Sequence, residues 1–361
     1  MTFILLVFLV LLYLISNKKD YRKYAKRYIY LITFVLIILS GLRHEAVGND
    51  TYAYIKQYEE VSSFSWNDVF DNFLVKYITP SSEGKDPGIF VLFKLLNVLH
   101  FSSRALLFIV ASLLLIPLGI LVYKKSNNLK TIMFFYCFYV ILFYGYLPNS
   151  AIRQTIALSF VLWGYISLMG NKRIGFICLI IIASLFHKSA LICLIIIPLL
   201  SFKNTKLIYK ISIIPFILVL IFPNIIGHIL IQDNEIYSAY TTGGYYTQQN
   251  KPYTIILLII LLYCIGWLKL RYDQNKDNLL YYGSAMTFIL VPLIWIDPSA
   301  LRIISYFAPC MGITVGNALS QIRYKHFIFL MLILFFFYNS MSRFNEYRFM
   351  WQEMELHERY T

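Results

Sequence analysis

Charge is what this chain has least of: 14% of its 361 residues are Asp, Glu, Lys or Arg, and only 18 of them are acidic. A soluble globule carries about a quarter of its residues charged, so a water-exposed fold is excluded. Paired cysteines are missing too. Cys137, Cys178, Cys193, Cys264 and Cys310 stand singly in or beside apolar runs, without a CxxC pair or a histidine at ligand spacing, and read as packing residues. No internal repeat and no low-complexity tract occurs. No basic stretch is interleaved with a soluble motif, so the net charge of +14 does not mark a nucleic-acid binder.

What is present is apolar: 59% hydrophobic residues, a mean hydropathy of +0.65, and 18% aromatics suited to headgroup depth. The apolar runs are 2–16, 28–42, 104–122, 131–147, 151–169, 174–186, 189–200, 207–229, 253–270, 279–296, 300–319 and 326–340. They predict an all-α polytopic membrane protein with about twelve crossings, a single membrane domain over 1–361. Residues 2–16 have their positive charges after the apolar run and no small-residue cleavage site, which makes them a first span and not a removable signal.

Basic residues set the orientation. The connection SNKKDYRKYAKR carries six Lys or Arg and belongs inside, with the amino terminus outside. Following that parity, 19 of the 32 basic residues but three of the 18 acids lie inside. Two long outer loops result, 43–103 and 230–252. Within the first, 88–100 is too short to cross about 30 Å and predicts an interfacial or re-entrant helix. The pair 174–186 and 189–200 predicts a hairpin whose tip, Phe186 to Ser189, sits about 10 Å beneath the outer surface. The competing reading joins 174–200 into one helix, which exports the basic SFKNTK loop.

Charges close to the apolar phase are costly, so an outward cluster of them is a site by default. Four places qualify: Arg43, His44, Glu45 and Asp50 in GLRHEAVGNDTYAY; Arg153 in LPNSAIRQ; His187 with Lys188; and Asp297 with Arg302 in WIDPSALR. Several guanidiniums around one cavity suit a phosphate-bearing ligand such as a lipid diphosphate. The plainer reading is that an Arg at a helix end snorkels to headgroups, and Arg104 and Arg343 are assigned so. His44, His100 and His228 are lone interfacial histidines, more often structural. Glu45, Asp50 and Asp86 are possible bases among loop acids that are usually just solvated. The segment SAYTTGGYYTQQNKPY has the amides and tyrosines to hold sugar rings, or is an ordinary loop. No outer loop offers a DxD pair for a metal.

GLRHEAVGNDTYAYIKQY, DPGIFVLFKLLN, NSAIRQTIALSF and ASLFHKSALI occur in an order and spacing that resembles the EpsG-type family of Wzy-like polysaccharide polymerases over about residues 30–200. The remainder is similar mainly in hydropathy and in Arg302. The resemblance implies an enzyme of surface-polysaccharide assembly in the bacterial cytoplasmic membrane, and the lack of a DxD pair adds the expectation of a metal-independent, cofactor-free glycosyl transfer. It would join repeat units carried on undecaprenyl diphosphate at the outer face, within the lipid bilayer and with a chain-length regulator protein as a further partner. Carried over by motif, it marks Arg43, Gly48 and Asp50, then Asp86, Pro87 and Gly88, then Arg153 and Gln154, and His187; Asn49 stands where a smaller residue is usual. The mechanism expected from these residues has His187 or Asp50 remove the acceptor proton while Arg153 and Arg43, helped by Arg302, bind the diphosphate and stabilise its developing charge, with Lys188, Gln154, Asp86 and Glu45 as further substrate-binding candidates. A flippase for the same lipid-linked oligosaccharide, or an acyltransferase modifying the polymer with His187 as base, are the alternatives.

Overall fold

The computed structural model describes residues 2–15, 21–78, 86–202, 204–222, 225, 253–273, 277–295, 300–320, 331–332, 334–335 and 347–356. The second outer loop 230–252, Asp297, His228 and Arg343 lie outside them, as does most of the predicted run 326–340. Among the described residues the secondary structure is helical, apart from one isolated bridge between Arg43 and Phe349. Contacts divide the chain into two units, 1–194 with 324–361 and 195–323.

The first unit contains α1 (Thr2–Ile15), α2 (Tyr21–Gly41), α3 (Thr51–Ser62), α4 (Trp66–Ile78), α5 (Gly88–Val98), α6 (Ser103–Lys125), α7 (Leu129–Tyr139), α8 (Ile152–Met169) and α9 (Arg173–Phe186). Polar residues start two of these helices: Ser102 accepts a hydrogen bond from the Ala105 amide and Asn128 from the Thr131 amide, each satisfying a donor with no partner in its own helix. Every residue of α7 except Lys130 is buried, as expected of a helix apolar on all sides and central to its bundle. One π turn, Val140–Tyr144, follows it. The helices α8 and α9 pack together, α6 packs on α2 and α8, and α3 packs on α5.

Helical spacing explains how the outer loop is held. Ile55, Tyr58 and Val61 on one stripe of α3 meet Ile89, Phe93 and Leu96 on one stripe of α5, and these join Leu106, Leu107 and Val110 of α6 and Ile152 and Ile156 of α8. Tyr58 and Phe93 meet edge to face at 5.3 Å, the arrangement their ring quadrupoles favour. This cluster seats α3 and α5 against the starts of two long helices. As the sequence predicts, α5 is short, at 11 residues.

The second unit contains α10 (Ile196–Ser201), α11 (Thr205–Ile211), α12 (Ile213–Ile221), α13 (Tyr253–Tyr272), α14 (Asn278–Leu290) and α15 (Leu301–Leu319). A run of stacked rings links them: Tyr209 on Tyr263 at 4.3 Å, Tyr263 on Phe288 at 3.8 Å and Phe216 on Phe288 at 4.2 Å. Gly283 lets α14 approach α15, because a Cβ there would fall 2.5 Å from that of Cys310.

Among the described residues the predicted runs are helical, and four helices there are long and apolar enough to cross a bilayer: Lys23–Gly41, Ser103–Lys125, Ile152–Met169 and Tyr253–Tyr272. Within the predicted hairpin 174–200, His187 alone separates α9 from the 3₁₀ run Lys188–Ile195, with extended angles of φ −159° and ψ 108°. His187 is thus a break in the helix at the position predicted for the tip.

Candidate active site

Four segments of the first unit bring their polar residues to one end. The end of α2, the starts of α6 and α8 and the end of α9 meet there, joined by the turn 42–50 and by residues 347–352. Gly48 is central to the turn. At φ +90° it occupies backbone space that side chains rarely allow, and a Cβ would fall 1.8 Å from the Asn149 carbonyl oxygen. Thr51 donates to that same carbonyl at 2.7 Å, and Ser40 donates to the Asn149 side chain at 3.0 Å. The turn is thereby sewn to the loop that precedes α8.

Asp86 is the hub. Its Oδ2 lies 3.5 Å from Arg153 Nη1 and 3.3 Å from His187 Nδ1, and its Oδ1 accepts from the Lys188 amide at 3.2 Å. Arg153 Nε also donates to the Tyr54 hydroxyl at 2.9 Å, with the guanidinium carbon 5.9 Å from that ring's centre. The carboxylate is buried, and the arginine and histidine side chains are partly open. Burial by itself pushes the Asp86 carboxyl up, but the His187 hydrogen bond, the His187 and Arg153 charges and the Lys188 amide outweigh it and hold the group below its ordinary value.

Of the residues marked in the sequence, the structure brings together Asp86, Arg153 and His187, three segments far apart in the chain. Lys188 contributes its amide, while its side chain is exposed. Asp50 occupies the position before α3, one turn ahead of Tyr54, and is partly open, as are His44 and Glu45 in the turn. Gln154 is turned inward, accepting from the Tyr146 hydroxyl at 3.0 Å. Arg302 opens the first turn of α15 in the second unit and is partly exposed.

Arg43 faces no open space. Its side chain is wholly enclosed, its Nη1 donates to Ser40, and its Nε and Nη2 have no partner among the described residues. Burial draws this guanidinium down to about 10, opposed by Tyr144 and Tyr347, which leaves it a cation at neutral pH. Residues 347–352 clasp it: the His44 amide donates to Arg348, the Met350 amide to Leu42, and the Tyr347 hydroxyl to Leu39. Arg104, assigned above to headgroups, instead donates to the Arg43 carbonyl at 2.6 Å, because the end of α2 leaves that oxygen unpaired.

Sequence reasoning missed Tyr54, Tyr146 and the clasp. Tyr54 stands in the same DTYAY stretch as Asp50, one helical turn on, and that spacing was the available signal. Among the described residues no group of three His, Cys, Asp or Glu gathers to hold a metal ion.

A buried carboxylate that ties an arginine to a histidine beside a tyrosine suits chemistry in which a proton leaves and an anion departs. The EpsG family model matches residues 26–352. This chain belongs to the EpsG family. That family consists of Wzy-like polymerases, and the match extends past the resemblance at 30–200 to take in the second unit and the clasp. No curated protein and no solved structure matches the chain.

Proposed function

We propose that this EpsG-family protein is a polysaccharide polymerase that joins undecaprenyl-diphosphate-linked oligosaccharide repeat units at the outer face of the bacterial cytoplasmic membrane. The whole chain, in this reading, is one membrane domain of about twelve crossings. The observation that carries the proposal is the convergence of Arg153 and His187 on Asp86.

In the reaction, a hydroxyl of one lipid-linked unit attacks the anomeric carbon of the growing chain. The bond from that carbon to the lipid diphosphate breaks, and the diphosphate leaves with the electron pair. His187 takes the acceptor proton, as a base within hydrogen-bond reach must. Arg153 binds the diphosphate and stabilises the charge that develops on it, an effect that strengthens where water is partly excluded. Asp50, partly open one turn from Tyr54, is the second choice of base. In this reading the chemistry needs no metal.

The test is deletion of the gene in its host, with the surface polysaccharide run on a gel and complementation by wild type and by Arg153→Ala. The expected result is a ladder that collapses to a single repeat unit, returns with wild type and does not return with Arg153→Ala at equal protein level. Loss of every surface band with lipid-linked units trapped inside would mean a flippase. An unchanged ladder would leave modification of the polymer.

A further inference from the structure

Asp86 does not face a substrate. Only 4% of it is exposed, and both of its oxygens already serve protein groups: Oδ2 faces His187 and Arg153, and Oδ1 accepts the Lys188 amide. Its backbone is also held in the left-handed region at φ 58°, although it precedes a proline, which favours extended angles. Strain of that kind persists where the surroundings fix a side chain in one place. Here the fixing groups are His187 and Lys188, just past α9, and Arg153 of α8, and Gly88, two residues on, lies close against the Leu185 backbone.

The consequence falls on His187. A hydrogen bond from Nδ1–H to a carboxylate selects one tautomer and leaves the Nε2 lone pair as the basic site. Arg153 has a second anchor in Tyr54, whereas among the described residues the His187 ring has its ion-pair partner in Asp86. We propose that Asp86 is a positioning residue that holds His187 with Nε2 presented to the acceptor hydroxyl, and that it binds no sugar or phosphate itself. This rests on the polymerase reading above and replaces the assignment of Asp86 to substrate binding.

The experiment is a double-mutant cycle in purified, liposome-reconstituted protein, with lipid-linked repeat units extracted from a polymerase-deletion strain of the host as substrate. Asp86→Asn is expected to lower kcat about a hundredfold, within the range of a lost general base, with KM changed by less than about twofold. His187→Gln should cost a similar factor. The double variant should then fall within about threefold of His187→Gln alone, because a residue that acts through another has nothing left to act on. Factors that multiply, or a KM that rises while kcat holds, would overturn the inference. Should Asp86→Asn fail to accumulate in the membrane, Asp86→Glu, which keeps the charge but moves it by a methylene, carries the same cycle with the same criteria. A wild-type protein that makes no polymer from these units would overturn the polymerase reading and this inference with it; a wild type that polymerises while the cycle multiplies overturns the inference alone.

Discussion

Arg153 is held at two points, by a carboxylate and by a phenol, and that geometry belongs to a planar fork and not to a point charge. Arg153→Lys should therefore fail to restore a polymer ladder, while Tyr54→Phe, which removes one hydrogen bond worth about 1 kcal/mol, should slow the reaction by about fivefold without abolishing it. Initial rates of chain growth in membranes check both. The Asp86 carboxyl, held below its ordinary 3.8, has a sign that follows from linkage. A depressed folded value stabilises the protein above the unfolded value and loses that contribution as pH falls through the folded one. The thermal midpoint of wild type should exceed that of Asp86→Asn down to about pH 4 and converge with it below, read by melting in detergent at stepped pH. A gap that closed already at about pH 6 would contradict the depression.

Elements explain which parts of this were legible in the sequence. Long apolar runs such as 104–122 reappear as α6 because a helix in lipid must satisfy its own backbone, and hydropathy alone reports that. The grouping of Asp86, Arg153 and His187 at one end was legible as charges beside apolar runs, but their pairing was not, since it depends on how the α3 and α5 stripes seat the outer loop. Arg43 reads in sequence as one of an outward cluster of substrate-binding cations. Its burial comes from residues 347–352, some 300 positions away in the chain, and no local pattern carries such a contact. The interruption between 174–186 and 189–200 was legible by composition, but that a single extended residue makes it was not. Gly88 offers the test at this scale. A Cβ there would lie 2.8 Å from the Leu185 carbonyl oxygen, so Gly88→Val should push α5 off α9 and separate Asp86 from His187. Polymerisation is expected to fall at least about tenfold, more than the membrane level of the protein does. Removal of residues 347–361 should act on stability instead, lowering the thermal midpoint by several degrees through the loss of hydrogen bonds worth about 1 kcal/mol each.

At the scale of the first unit, helix direction orders the charges. The site gathers at the end of α2, the start of α6, the start of α8 and the end of α9. The opposite ends of the same four helices carry Lys23, Lys26 and Arg27, then Lys124 and Lys125, then Lys172 and Arg173. The 23 residues of α6 separate the two ends by about 34 Å, one hydrocarbon thickness. Two sets of cations on one bundle thus differ in kind: the far ones are lysine-rich and at helix termini, as cytoplasmic anchors are, while those at the site are arginines bonded into the protein. If the positive-inside rule governs the far set, the site faces outward, as the proposed polymerase requires. Reporter fusions decide it. Alkaline phosphatase joined after Ser63, between α3 and α4, should be active, and joined after Ser126, beyond α6, should be silent. The reverse pattern would put Asp86, Arg153 and His187 on the cytoplasmic side and would make a polymerase acting on exported units impossible for this site, whatever its chemistry.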